Sequence, residues 1–219
     1  MNNSIYLDLL HNAALLLAIA FIFNITLRKW QFERAIPGKI LVGALMGIVC
    51  IALMATPWTL EKGIIFDTRS VLLCISGLFF GTIPTIITMI IAIIYRIVLS
   101  GTAAVTGVSV ILASGLIGLA WRHFRKTPLV KIKNWELYLI GIIVHIVMLA
   151  LMLLMPYEKA IEVLEHISFP VLLIYPIATL LLGILIKNQL NEEIINNRIL
   201  QSEENLSITL HSISDAVVS

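Results

Sequence analysis

Two arginines, Arg69 and Arg96, stand at the ends of long apolar stretches and are the first candidates for chemistry in this chain. An arginine at the centre of a membrane helix costs about 2.5–3.5 kcal/mol on insertion scales, so arginines in apolar spans are functional candidates. A guanidinium pairs with a carboxylate through two parallel hydrogen bonds. Two guanidiniums with hydroxyls nearby therefore favour a small carboxylate ligand. The polar residues close to them in sequence are Asp67, Thr68, Ser70, Ser100, Thr102, Thr106 and Ser109.

The predicted ligand site consists of Arg69, Arg96, Thr106, Ser109 and Asp67. In this hypothesis the two arginines bind the carboxylate, the hydroxyls of Thr106 and Ser109 complete its hydrogen bonds, and Asp67 orients Arg69. The alternative is that Asp67 pairs with one arginine while the other snorkels to the lipid headgroups. A further polar residue, His145, lies in the middle of an apolar segment, where a hydrogen-bonded bundle residue is more typical than a ligand.

Composition predicts that these residues belong to a membrane protein. Of 219 residues, 59% are hydrophobic and 13% charged, whereas a soluble domain has about 45–50% and about 25%. These values exclude a disordered chain and a nucleic-acid partner, and they predict an all-α membrane protein in a lipid bilayer. Cys50 and Cys74 lie in apolar runs, so we expect no disulfide, no metal site and no cofactor. The sequence has no catalytic pattern, so we do not expect an enzyme.

The apolar segments predict a bundle of about seven transmembrane helices, since a bilayer needs about 20 apolar residues per helix. The third segment is short, and Gly81-Thr82-Ile83-Pro84 separates it from the fourth, so we expect a tight hairpin with a short or tilted third helix. Arg69 opens this hairpin and Arg96 closes it, which puts both at its open end. The segments are 6–27, 38–56, 69–80, 82–99, 103–121, 136–155 and 168–187.

The positions of Lys and Arg predict the orientation of the bundle. With seven spans, 11 of the 15 Lys and Arg fall on one side, in residues 28–39, in residues 122–133 and after residue 186. Because positive residues are retained in the cytoplasm, we expect an outer N-terminus and a cytoplasmic C-terminus in the plasma or inner membrane. The arginine pair then lies at the outer end.

The tail after residue 187 has a different composition. Residues 188–205 are polar, with apolar residues at helical spacing. One interpretation is a frayed terminal helix, and the other is a signalling helix that leaves the membrane and forms a homodimer. Residues 206–219 resemble the opening of a PAS domain, with an amphipathic helix, a turn at Asp215-Ala216 and a strand that begins at Val217. The apolar positions are Leu190, Ile194, Ile195, Ile199 and Leu206.

The central part of the chain resembles the LYT-type membrane receptor family, the LytS-like sensor domains of histidine kinases and diguanylate cyclases. Its most specific features are Asp-x-Arg, the 27-residue step from Arg69 to Arg96 and the following helix of small residues. The resemblance covers residues ~30–187. The matching residues are Asp67-Thr68-Arg69-Ser70, Gly77-Leu78-Phe79-Phe80-Gly81, Pro84, Ala92, Tyr95-Arg96, Gly101, Gly107-Val108 and Ser114-Gly115-Leu116-Ile117-Gly118.

The resemblance implies a receptor for a small extracellular ligand. The family includes sensors of pyruvate, whose site has two arginines, a cysteine and a serine. The arginines match Arg69 and Arg96, the serine matches Ser109, and the cysteine falls at Thr106. Because this chain has no cysteine there, and has Ser100-Gly101 in place of the usual Gly-Gly, the carboxylate chemistry carries over but pyruvate as the ligand does not.

The resemblance also implies a domain order and partners. We expect a transmembrane sensor domain at 1–187, a signalling helix at 188–205 and the start of a PAS domain at 206–219. Signals would pass through the last helix to a cytoplasmic kinase or cyclase effector and to a response regulator. The fold is also similar to substrate-binding subunits of energy-coupling vitamin transporters, which is the alternative function. The tail favours the receptor, because a transporter subunit has no need for it.

Overall fold

Seven helices and one pair of short strands form the part of the chain that the structure, a computed structural model, describes: residues 2–27, 36–61, 64–99, 101 and 103–218. The basic residues of 28–35 and two of the candidate hydroxyls, Ser100 and Thr102, lie outside these ranges. The helices are α1 (Asn2–Leu27), α2 (Ile36–Ala55), α3 (Arg69–Ile75), α4 (Thr82–Leu99), α5 (Ala104–Phe124), α6 (Asn134–Leu151) and α7 (Tyr157–Val218), and the strands are β1 (Trp58–Glu61) and β2 (Ile64–Phe66).

The helices confirm the prediction of an all-α membrane bundle. By length and composition, five helical segments of the described chain can cross a membrane: α2, α4, α5, α6 with its short 3-10 extension to Leu154, and the first part of α7. Two shorter apolar segments, Tyr6–Ala18 of α1 and Arg69–Phe80, complete the seven. Many exposed positions on the helices are apolar, among them Ile90, Ile94 and Ile146, as a hydrocarbon surrounding favours.

The third helix is short, as predicted, and lies in the centre of the bundle. α3 continues as a π-helix over Ser76–Phe80, and every residue of α3 is buried. Twelve residues reach only about 18 Å, against a hydrocarbon core of about 30 Å, so this helix cannot span the membrane. Small residues let α5 approach it closely, because a Cβ on Gly77 would lie 2.7 Å from the carbonyl oxygen of Gly115. The N-terminus of α3 therefore lies inside the bundle.

At its C-terminal side the third helix reaches the end of the bundle that carries residues 122–133, here called the basic end. Arg122 Nη1 donates to the carbonyl oxygens of Leu78 at 3.1 Å and Phe79 at 2.7 Å. No later turn of this helix supplies N–H donors to these two carbonyl oxygens. The arginine side chain donates to them instead and so caps the helix. Gly81 then turns the chain into α4 with φ +82°, a conformation that glycine adopts without a steric penalty.

The strand pair was not predicted from the sequence. β1 and β2 are antiparallel, with Trp58 opposite Phe66, Thr59 opposite Ile65 and a register shift before Glu61. In β2, Ile64 and Phe66 are buried. Strand pairing satisfies the backbone groups of the link between α2 and α3. The end of the bundle at which these strands lie is called the hairpin end, after this β-hairpin. The turn between α3 and α4 lies at the opposite, basic end.

The last helix is longer than expected. α7 has 62 residues, a length of about 93 Å at 1.5 Å per residue. It includes the predicted seventh span, the amphipathic segment before it and the tail after it, and it contains Pro170 and Pro176. The expected turn at Asp215-Ala216 and the strand at Val217 are not formed. A strand needs a neighbouring strand for its hydrogen bonds, whereas a helix forms them within itself. The PAS assignment of 206–219 stays a prediction.

Candidate functional site

A small cavity at the hairpin end brings together four of the five predicted site residues. Its polar lining consists of Asp67, Arg69, Ser70, Arg96 and Thr106, and its apolar lining comes from β2, α5, α6 and the residue after α6. The volume open to the centre of a water-sized sphere is ≈ 20 Å³. One buried water needs about 10–15 Å³ on this measure, so the cavity accommodates a group about the size of one or two water molecules.

Asp67 and Arg69 form an ion pair inside the protein. Arg69 Nε lies 3.5 Å from Asp67 Oδ1, and the same oxygen accepts the Arg69 backbone N–H at 3.0 Å. Asp67 Oδ2 and Arg69 Nη1 are buried, with no hydrogen-bond partner among the described residues. Burial raises the pKa of the Asp67 carboxyl above its usual range. The charge of Arg69, its backbone N–H and the charge of Arg96 lower this pKa, but by less. The pair retains unused hydrogen-bonding capacity among the described residues.

Arg96 reaches the same cavity from α4. Its side chain is 1% exposed and crosses the backbone of α5 at Gly107. A Cβ on Gly107 would lie 3.1 Å from Arg96 Cδ and closer still to Nε. Glycine at this position therefore provides the room for the guanidinium. Of the alternative interpretation, the pairing of Asp67 with one arginine is present, but Arg96 is buried rather than exposed at the end of the bundle.

Thr106 and Ser109 differ in position. Thr106 is 3% exposed and lines the cavity together with its neighbours on the same face of α5. Ser109 is half-buried and is not among the lining residues. At 100° per residue it points about 110° away from the middle of the face formed by residues 103, 106, 107 and 110. The structure therefore places Ser109 outside the cavity lining, and its contact with a ligand stays a prediction.

A residue that the sequence analysis missed, Asn12 of α1, supports the site from behind. Its Oδ1 accepts the backbone N–H and the hydroxyl of Thr68, both at 2.7 Å. Its Nδ2 donates to the carbonyl oxygens of Leu53 at 3.1 Å and Thr56 at 3.0 Å. The side chain thus joins three segments directly beside Asp67 and Arg69. An asparagine within an apolar segment was the available signal, because a buried amide requires several partners.

His145 is a hydrogen-bonded bundle residue, as the more typical interpretation predicted. It is fully buried, with Nδ1 2.6 Å from the carbonyl oxygen of Gly141 and Nε2 3.1 Å from Ser70 Oγ. A carbonyl only accepts, so in the neutral ring Nδ1 donates to it and Nε2 accepts from the Ser70 hydroxyl. The ring also packs edge-on against Tyr175 of α7, with centroids 5.0 Å apart. A line of contacts therefore runs from the cavity to α7.

The fold and the cavity define a class of protein, a helical membrane protein with a polar site buried inside its bundle. The sequence matches the family 5TM-5TMR_LYT, described as 5TMR of 5TMR-LYT, over residues 20–189, and the chain belongs to this family. It is therefore a membrane sensor domain and a receptor rather than a catalyst. Among curated proteins and among solved structures, none matches this chain. Asn12 precedes the matched region.

Proposed function

We propose that this receptor domain binds a small carboxylate between Arg69 and Arg96 and transmits the binding event through α7. The observation that carries the proposal is the convergence of two buried guanidiniums and one carboxylate on a single cavity. Arg69 Nη1 is buried without a hydrogen-bond partner among the described residues, so the cavity offers a charged donor to a bound anion. Buried charges are expensive unless they are paired, and a bound carboxylate offers the geometry that guanidiniums pair with best.

Three side chains support a route from the cavity to α7. Ser70 lines the cavity and is hydrogen-bonded to His145, which packs on Tyr175. Tyr175 lies between Pro170 and Pro176, and each proline removes one backbone hydrogen bond from α7. In this proposal, a shift of α3 on binding moves His145 and bends α7 at the weakened segment. The continuous helix beyond the bundle would carry this bend to a cytoplasmic PAS, histidine kinase or cyclase effector and to a response regulator.

The alternative function, a substrate-binding subunit of a small-molecule transporter, uses the same cavity but not the tail. α7 continues for about 30 residues past the last apolar segment, and residues 191–206 are exposed. A capture subunit has no use for this extension, whereas a receptor requires it. A homodimer through this part of α7 would give the helix a partner and a means of signalling.

Equilibrium binding by calorimetry tests the carboxylate site. We expect the parent chain to bind at least one member of a panel of small carboxylates. A charge-assisted hydrogen bond contributes about 1.5–3 kcal/mol, so Arg96→Ala should weaken binding by roughly ten- to a hundredfold or more. Arg96→Lys should also weaken it, because lysine keeps the charge but loses the planar fork. The matched control is Arg198→Ala on the exposed part of α7. No binding, or equal affinity of Arg96→Ala and the parent, would refute the site.

The proposed orientation places the hairpin end outside the cell and the basic end in the cytoplasm of a plasma or inner membrane. The supporting observation is the concentration of Lys and Arg in residues 122–133. A cysteine introduced at Lys131, which is exposed, should react with a membrane-impermeant reagent only after the cells are broken. Reaction in intact cells would reverse the orientation.

A further inference from the structure

A second cavity shares Arg96 with the first in its lining. Its lining comes from the last turns of α2 and α4 and from the segment of the strand pair, and its volume open to the centre of a water-sized sphere is ≈ 280 Å³. This cavity, here called the vestibule, is much larger than the cavity at Arg69. Besides Arg96, its lining residues are Met54, Ala55, Pro57, Ile65, Tyr95 and Leu99.

Arg96 and Ile65 belong to the lining of both cavities, so the two cavities adjoin at these side chains. The inner cavity, at ≈ 20 Å³, holds a carboxylate group but little more. A ligand whose carboxylate binds there must therefore continue past Arg96. The side of Arg96 that has room for the rest of the molecule is the vestibule.

We propose that the ligand is a monocarboxylate with an apolar chain, whose carboxylate lies between Arg69 and Arg96 and whose chain occupies the vestibule. This inference rests on the proposed function and specifies its ligand class. Arg96 is the one charged residue among the vestibule residues that the structure describes, and the others are apolar or aromatic. Burying a methylene group against such a surface is favourable. Each one that is fully buried raises the affinity about fourfold.

The same lining disfavours a dicarboxylate. Its second carboxylate would stand among Met54, Ile65 and Leu99, where the described lining offers no additional positive charge. A charge moved from water to such a surface loses its hydration without gaining a partner. Succinate has the same number of carbon atoms as butanoate, so the two isolate this effect.

The test measures the affinity of the 219-residue chain in lipid nanodiscs for acetate, butanoate, hexanoate and succinate. We expect affinity to rise by about two- to fourfold for each added methylene, since the vestibule buries the chain partly or fully. Succinate should bind at least about tenfold more weakly than butanoate. Arg96→Ala is measured in parallel, because partition of hexanoate into the lipid would also increase with chain length but would persist in this variant.

A variant that fills the vestibule separates it from the inner cavity. Ala55 is exposed at the end of α2, and Ala55→Trp should reduce hexanoate affinity by about fivefold or more while acetate affinity stays within about twofold. Leu99→Trp fills the vestibule from the opposite wall and serves if Ala55→Trp does not fold. Ala150→Trp, on the exposed face of α6 near the same end, is the matched control and should change neither ligand.

Four outcomes would overturn the inference. If acetate binds in an Arg96-dependent way but affinity is independent of chain length, the assignment of the ligand's chain to the vestibule is wrong. The arginine site then stands. The assignment is also wrong if succinate binds more tightly than butanoate, or if the chain-length dependence that exceeds partition into the lipid survives the filled vestibule. If no carboxylate binds the parent chain, the proposed function fails together with the vestibule.

Discussion

The hairpin end and the tail of α7 reverse the usual relation between polarity and burial. At the hairpin end the arginines are 5% and 1% exposed, whereas on the tail Ile195 and Leu206 are 47% and 61% exposed. Buried polar groups are costly unless they are paired, and exposed apolar groups at helical spacing are costly unless they are covered. The proposed function assigns a ligand to the first region and a partner helix to the second. A receptor needs both, joined by a rigid element.

The largest effect that tests this comparison is expected at Asn12. Asn12→Ala removes the hydrogen bonds to Thr68 and to the carbonyl oxygens of Leu53 and Thr56. Since these buried groups lose their partners, we expect a loss of about 2–4 kcal/mol in the free energy of unfolding. Thermal unfolding of the purified chain measures it. Asn196→Ala on the exposed tail should stay within about 0.5 kcal/mol, and equal losses at both positions would remove the contrast between the two regions.

A smaller effect is expected at Gly107, where the buried arginine crosses α5. Gly107→Ala places a methyl group against Arg96 and should displace the guanidinium, with a loss of about tenfold in carboxylate affinity, equal to one charge-assisted hydrogen bond. A double-mutant cycle gives the control, because Gly107→Ala should have no effect in the Arg96→Ala background. Additive losses would show that Gly107 acts on the fold and not through Arg96.

The connection between the two regions is tested at His145. His145→Phe keeps a ring against Tyr175 but breaks the hydrogen bonds to Ser70 and Gly141. We expect carboxylate affinity to change by less than about threefold, since His145 does not line the cavity and the loss reaches it only through Ser70. The ligand-dependent change in cysteine crosslinking on the tail should disappear. His166→Phe, near the start of α7, is the control, and an unchanged crosslinking response in His145→Phe would exclude this route.

The smallest effect concerns the tail itself. If two copies pair in parallel through the apolar positions, single cysteines at Ile195 and Ile199 should crosslink several times more than cysteines at Asn197 and Glu204, which lie on the opposite face. Background should be low, because Cys50 and Cys74 are buried. Equal yields at all four positions, or no crosslinking, would favour a solvated terminal helix without a partner.

Much of the bundle could be predicted because its signals are local. The apolar runs, the break at Gly81 and the shortness of the third segment are properties of consecutive residues, and the structure agrees with them. The strand pair Trp58–Phe66 and the continuation of α7 through Asp215 were missed. In both cases the local sequence allows more than one conformation, and the choice depends on which backbone hydrogen bonds the surroundings provide.

The site divides in the same way. Arg69 and Arg96 were found from the sequence alone, since an arginine in an apolar span is rare enough to be noticed without knowledge of its neighbours. Asn12, which lies 56 residues before Thr68, and the separation of Ser109 from the cavity became visible only in three dimensions. The depth of the arginines in the bundle also required the packed structure, because it depends on a central helix of twelve residues surrounded by longer ones. Residue type reveals which groups are costly to bury, whereas only packing specifies which groups they meet.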